Sequence, residues 1–234
     1  MGRRFDYDLA VLGAGSGGLV AAVGAVKLGL SVVLIDGGHI GGDCLNFGCV
    51  PSKSLLRCAR VARSIRRAGE YGIRQHGFDV DYEAVKARVA SVQDTIREHE
   101  NADYFRQMGM DVIEANASFV DRHLIEAGGK KLSARLIVIA TGSRARIPEI
   151  EGLDEAGYAT NEQIFTLSEF PRRLAVIGGG PIGCEMAWAH CQLGAQVTVT
   201  ILEIDAVCAG VVGDFGRRHE LLNDLIHILL GKDA

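Results

Sequence analysis

The 234-residue sequence has no large charge of either sign, no long unbroken apolar run and no evident targeting segment. Its formal net charge of -4 gives no reason to expect nucleic acid or an anionic membrane as a partner. Local basic runs such as Arg63 to Arg67 are mixed with apolar residues and read as a solvated helix face. No apolar stretch is long enough to span a bilayer. Leu9 to Val26 is interrupted by glycines and Ser16, and it lacks the clean apolar core and cleavage site of a signal peptide. Six cysteines in a chain of this size do not make a secreted disulfide scaffold, so the cytoplasm is the expected compartment. Aromatic residues are few, as in an ordinary α/β protein.

Glycine is the residue in excess. The chain has 30, against a usual level of roughly 7 per cent, and many follow short apolar runs where α/β proteins turn around ligands. The first such place is Asp6 to Leu12, a run with β character, followed by Gly13-Ala-Gly15-Ser-Gly17-Gly18. A helical pattern then runs through Leu19, Ala22, Val26 and Leu28, and a second strand, Ser31 to Ile35, ends at Asp36. This is a βαβ dinucleotide fingerprint. Gly13 permits the tight turn, Gly15 admits a pyrophosphate and Gly18 lets helix pack on strand. The helix N-terminus offers unpaired N–H groups to phosphate. Asp36, 23 residues after Gly13, is placed to accept hydrogen bonds from ribose hydroxyls.

Next comes Gly41 to Lys53, GGDCLNFGCVPSK, in which four residues lie between Cys44 and Cys49. Leu45, Leu55 and Leu56 indicate a helix running onward from about Cys44, which brings the cysteines within bridging distance after modest bending. A helix N-terminus there lowers a thiol pKa. A metal site would want more ligands, and His39 is the nearest histidine. Two buried cysteines or a structural disulfide are the other readings. The position just after the fingerprint favours a redox-active pair.

Ser54 to Met108 reads as mostly helical, with a loop or short strand from Ala68 to Val80 and an amphipathic helix over Asp81 to Gln107. Val112-Ile113, Ala117 to Val120, His123 to Glu126 and Lys131-Leu132 read as an antiparallel meander. Arg135 to Ala140 is then a buried strand of a parallel sheet, ending in Thr141-Gly142. Pro148 to Gly157 reads as a connection. A second fingerprint follows: strand Leu174 to Ile177, Gly178-Gly-Gly180-Pro-Ile-Gly183, a helix through Glu185, Ala187, Trp188 and Leu193, and strand Gln196 to Thr200. The position equivalent to Asp36 is Ile201, and the nearest acid is Glu203. From Ala206 the pattern lapses. Cys208, His219 and His227 have no ligand spacing, and Leu221 to Leu230 reads as a short amphipathic helix.

These motifs resemble those of the class I pyridine nucleotide-disulfide oxidoreductases over about Tyr7 to Thr200. Gly41 to Lys53 is most similar to the mercuric reductase-like branch, although Asp43 departs from the usual threonine. The resemblance implies an α/β fold of two Rossmann-like units, the second incomplete. It divides the chain into an FAD-binding domain with dithiol and meander at 1–150, the first part of an NAD(P)-binding domain at 151–205, and a divergent tail at 206–234. It implies FAD held by Gly13, Gly15, Gly18 and Asp36, with Gly42, Lys53, Ala140, Thr141 and Gly142 lining its site. NADH or NADPH is implied at Gly178, Gly180 and Gly183. Cys49 is implied as the thiol against the flavin, Cys44 as the one that exchanges with substrate, and Lys53 as the partner of Glu185. The implied substrate is a small disulfide, a dithiol or mercuric ion, with no resident metal. The family state is a homodimer, and the family's dimerisation domain has no counterpart in this sequence. The change after Thr200 reads as a truncation or a frame shift. Two other readings are a flavin-binding remnant without turnover and a flavin monooxygenase, which has no use for a dithiol.

Overall fold

A computed structural model describes residues 5–200. The expectations for Ile201, Glu203, Cys208, His219, His227 and the helix at Leu221 to Leu230 lie outside the described residues. The chain forms two compact units. One contains the residues up to Pro51 together with Val89–Phe165, and the other contains Ser52–Arg88 together with the residues from Thr166 onward.

The first unit is built on strand β1 (Tyr7–Leu12), helix α1 (Ser16–Lys27) and strand β2 (Val32–Ile35). Its sheet adds β3 (Asp111–Ile113), β4 (Ala117–Asp121), β5 (Leu124–Ala127) and β6 (Lys130–Ile139), in the order β3-β2-β1-β6-β5-β4. The members β3, β2, β1 and β6 run parallel. Alternation along β1 sends Leu9 and Val11 to one face and Ala10 and Leu12 to the other. The first pair packs with Val32, Leu34, Ala22 and Ala25, and with Ala102 and Phe105 of helix α5 (Ala102–Gln107). The second pair packs with Val33, Ile35, Ile125, Ala127 and Ala134. Burial on both faces explains why β1 and β2 are continuous apolar runs. Each fully buried Val, Leu or Ile there contributes roughly 1.5–3 kcal/mol.

Three expectations change. Asp111 to Ile113 is not part of the meander but pairs in parallel with β2, and this supplies an outer strand of the parallel sheet. Lys131-Leu132 and Arg135 to Ala140 are one strand: Lys130 to Ser133 of β6 pair antiparallel with β5, and Ala134 to Ile139 pair with β1. The helix expected over Asp81 to Gln107 is two helices, α4 (Tyr82–Arg97) and α5. Asn101 makes the break, because its side chain accepts a hydrogen bond from the N–H of Tyr104 and so caps a new helix.

The second unit holds the body of helix α3 (Cys49–Arg66), the start of α4, strand β7 (Arg173–Ile177), helix α7 (Pro181–Leu193) and strand β8 (Gln196–Thr200). Strands β7 and β8 are parallel and joined through α7. Pro181 opens α7, and Gly194 at φ 116° ends it. A short 3₁₀ turn covers Ala68–Tyr71, with no regular strand after it up to Val80. Short helices α2 (Gly42–Asn46) and α6 (Leu153–Ala156) complete the described elements. The fold is α/β with two Rossmann-like units. No helix among the described residues is long and apolar enough to cross a membrane.

Candidate redox and dinucleotide site

The first glycine turn is closed by backbone. Gly13 has φ 104°, and a Cβ built on it would stand 2.2 Å from the carbonyl oxygen of Ala140. Ala140 in turn donates its N–H to Leu12. The turn therefore needs glycine because the end of β6 lies against it, which also places Thr141 and Gly142 beside the fingerprint. Asp36 binds the same turn: one carboxylate oxygen accepts from Ala14 N–H at 2.6 Å and the other from Gly38 N–H at 2.8 Å. Each oxygen keeps a further lone pair for a ribose hydroxyl. Helix α1 has no acidic residue in its first turn and no side-chain cap, so its N-terminal N–H groups are open to phosphate.

The dithiol loop is fastened to this turn. Gly41 N–H donates to Ala14 at 2.8 Å, and a Cβ on Gly42 would stand 2.6 Å from Gly15 Cα. The continuous helix expected from Cys44 is absent. Helix α2 stops at Asn46, Phe47 and Gly48 intervene, and α3 begins at Cys49. The step folds the chain so that the two cysteine side chains hydrogen bond to each other. Burial pushes the Cys44 thiol pKa up, and the bond to Cys49 pushes it the same way. The Ser16 hydroxyl and the Cys49 N–H oppose this. For Cys44 the direction is therefore the reverse of what a helix N-terminus alone gives. Cys49, at the head of α3, stands at the positive end of an 18-residue helix.

Three residues that hold this loop escaped the sequence reading. Gln93, buried in α4, donates from Nε2 to the carbonyls of Leu45 and Asn46 at 2.9 Å each. Asn46 donates back to Ile40 and Gly42. Ser16 reaches Cys44. Gln93 lies 47 residues from Asn46, and no spacing rule connects them. Ser16 had a signal, since it occupies a variable position of the fingerprint, at the start of the helix that faces the phosphates.

In the second unit Lys53 and Glu185 form an ion pair, with Lys53 the more exposed of the two. The second glycine turn repeats the first. Gly178 has φ 113°, and its N–H donates to Thr200 at 2.8 Å. A Cβ on Gly183 would stand 2.2 Å from the Gly178 carbonyl oxygen, whereas one on Gly178 or Gly180 would meet nothing within 4 Å among the described residues. Helix α7 also lacks an acidic first turn and a side-chain cap. Thus Gly13, Gly15, Gly18, Asp36, Gly42, Cys44, Cys49, Ala140, Thr141 and Gly142 fall in the first unit. Lys53, Gly178, Gly180, Gly183 and Glu185 fall in the second.

Residues 7–215 match the family described as pyridine nucleotide-disulphide oxidoreductase. The chain belongs to this family. It is 34% identical over 194 residues to a mercuric reductase of Lysinibacillus sphaericus, covering 83% of this chain and 36% of that protein. It is 37% identical over 198 residues to a dihydrolipoyl dehydrogenase of Chlamydia trachomatis serovar D, covering 82% and 42%. It is 36% identical over 196 residues to a glutathione reductase of a Nostoc species, covering 83% and 42%. Among solved structures, the Cu(II) complex of the HOCl-induced flavoprotein disulfide reductase RclA from Escherichia coli superimposes with a TM-score of 0.69 at 28% identity, covering 82% of this chain and 41% of that one. The chain thus spans about two fifths of the length of these family members. Its lineage is that of the flavin-dependent oxidoreductases.

Proposed function

We propose that this chain carries the flavin-binding and dithiol portion of an NAD(P)H-linked oxidoreductase acting on a small disulfide, a dithiol or mercuric ion. The observation that carries the proposal is the hydrogen-bonded pair Cys44 and Cys49 in a loop fastened by Gly41 and Gly42 to the first glycine turn. A dithiol locked onto a dinucleotide turn serves electron transfer better than it serves packing or metal binding. No cluster of three or more metal-ligating residues occurs among the described residues. The names of the relatives (mercuric reductase, dihydrolipoyl dehydrogenase, glutathione reductase) support the substrate class.

In this reading Gly13, Gly15, Gly18 and Asp36 hold the ADP half of FAD, and Gly42, Lys53, Ala140, Thr141 and Gly142 line the rest of its site. The uncapped N-terminus of α1, with no acidic residue in its first turn, suits a pyrophosphate. Gly178, Gly180 and Gly183 hold NADH or NADPH against the uncapped N-terminus of α7. When bound, the flavin supplies hydride chemistry and two-electron transfer. The protein's own residues handle thiols and protons. Reduction of a Cys44–Cys49 disulfide takes two electrons and two protons and leaves the thiol pair. Cys44 then acts as the thiolate: it attacks one sulfur of a substrate disulfide, the substrate S–S bond breaks, and the expelled sulfur leaves with the proton that Cys44 gave up. Cys49 next attacks the Cys44 sulfur, which restores the Cys44–Cys49 disulfide and releases the second substrate thiol with the Cys49 proton. A dithiol substrate runs the same exchanges in reverse, and a mercuric ion is bound by the thiolate in exchange for its proton. Ser16 and the Cys49 N–H stabilise that thiolate against burial. Lys53 brings positive charge one helical turn beyond Cys49, and Glu185 holds the lysine in place. The cytoplasm and a homodimer complete the proposal.

The test is the visible spectrum of the purified protein with added FAD, before and after anaerobic dithiothreitol. A flavin spectrum that gains a long-wavelength band on reduction, and loses that gain in Cys49→Ser, is the expected result. A protein that stays colourless with added FAD overturns the proposal for this chain.

A further inference from the structure

The second unit contains a groove with arginines and a tryptophan that the proposed reaction does not use. It has a volume of about 880 Å³ and is open to solvent. One wall is α3, with Arg57, Arg60 and Arg63, and the other is α7, with Glu185 and Trp188. Arg67 lies just beyond the end of α3. Arg57 and Arg60 are three residues apart, which sets them on one side of the helix. The volume lies in the range of small-molecule sites.

The charges do not cancel. Arg67 is taken by Glu70, through paired contacts at 2.6–2.9 Å. Arg63 adds to the field at the same carboxylate. Glu185, the acid in the groove wall, is taken by Lys53. Arg66 points elsewhere, to the Gln192 carbonyl and the Phe78 ring. Arg57 and Arg60 have no carboxylate partner among the described residues. A solvated helix face needs no concavity and no aromatic wall, whereas these two guanidiniums line a groove faced by a half-buried indole.

We propose that this groove binds a small molecule that combines a pyrophosphate with a planar ring, with the phosphates on Arg57 and Arg60 and the ring on Trp188. Guanidinium groups bind phosphate oxygens bidentately, and an indole face stacks on a heterocycle. The proposed anchors, Arg57, Arg60 and Trp188, are not residues of the fingerprint turn, and the proposal does not depend on the proposed reaction.

Trp188 is the chain's single tryptophan, so its fluorescence reports the groove directly. The full chain is titrated with ADP at low ionic strength, as wild type, as Arg57→Ser/Arg60→Ser and as Arg57→Lys/Arg60→Lys. The expected result is a saturable change in the wild type that is weakened about tenfold or more in the serine variant, because two charge-assisted contacts are lost. The lysine variant falls between the two, since it keeps charge and loses the fork. The absence of a saturable change overturns the proposal. Equal affinity in wild type and serine variant also overturns it, and assigns the ADP to a helix N-terminus. FAD retention, read at visible wavelengths in the same samples, stays unchanged in the serine variant, so failure here is distinguishable from failure of the flavin reading.

Discussion

The two glycine turns are nearly the same structure in different surroundings. In each, the first glycine has a positive φ and donates its N–H to the end of the second strand, Gly13 to Ile35 and Gly178 to Thr200, both at 2.8 Å. In each, the last glycine lies where a Cβ would strike the first glycine's carbonyl oxygen, at 1.8 Å for Gly18 and 2.2 Å for Gly183. The surroundings differ. Strand β1 lies between β2 and β6 and its last four residues are buried, while β7 pairs with β8 and alternates between exposed and half-buried. Gly13 is pressed by Ala140, while a Cβ on Gly178 meets nothing within 4 Å among the described residues. A βαβ turn is thus set by its own few residues, but its rigidity comes from what packs on it.

The largest test of that difference is alanine at the first glycine of each turn. Gly13→Ala adds a backbone collision to an unfavourable φ and is expected to cost on the order of 3 kcal/mol or more. Gly178→Ala carries the φ penalty alone, about 1–2 kcal/mol. Urea titrations followed by far-UV circular dichroism, with Trp188 fluorescence reporting the second unit, measure both. Equal costs would mean that Ala140 yields easily.

Next in size is Gln93→Ala, which strands the carbonyls of Leu45 and Asn46. The expected loss is about 1–3 kcal/mol, with faster hydrogen exchange through residues 41–49 and no matching change in the second unit.

The second unit has its own weak point in His190. It is fully buried, its Nδ1 contacts the Met186 carbonyl, its Nε2 has no partner among the described residues, and Phe170 stacks on it. Burial lowers its pKa from 6.5. Below pH 6.5 the unfolded state therefore holds more protons than the folded state. The stabilisation is complete above that value and is lost as pH falls through the folded pKa. One proton sets a limit of about 1.4 kcal/mol per pH unit. His190→Gln is expected to flatten the Trp188-detected stability profile between pH 7 and 5. A profile unchanged by the substitution would assign the acid sensitivity to other groups.

The smallest effect concerns Ser16, whose counterpart in the second turn is Pro181. Removing its hydroxyl raises the Cys44 thiol further. Ser16→Ala is expected to slow alkylation of Cys44 by about two- to fivefold at neutral pH, since one neutral hydrogen bond contributes roughly 0.5–1.5 kcal/mol. Peptide mass spectrometry of iodoacetamide-treated protein measures this, and an unchanged rate would remove Ser16 from the site.

Residue type and short spacing by themselves determined both glycine turns, the strands that feed them, Asp36 and the position of the dithiol. All of these show as patterns within short stretches of chain, each about the length of one strand–turn–helix–strand unit or less. Tertiary structure decided the rest. The break after Asn46, which faces Cys44 and Cys49 toward each other, is held by Gln93 from a distant helix. The pairing of Asp111 to Ile113 with β2 and the double service of β6 depend on which strand edges are available. The upward shift of the Cys44 thiol follows from burial. Burial is a property of the packed chain: it depends on atoms far apart in sequence, so no local pattern encodes it.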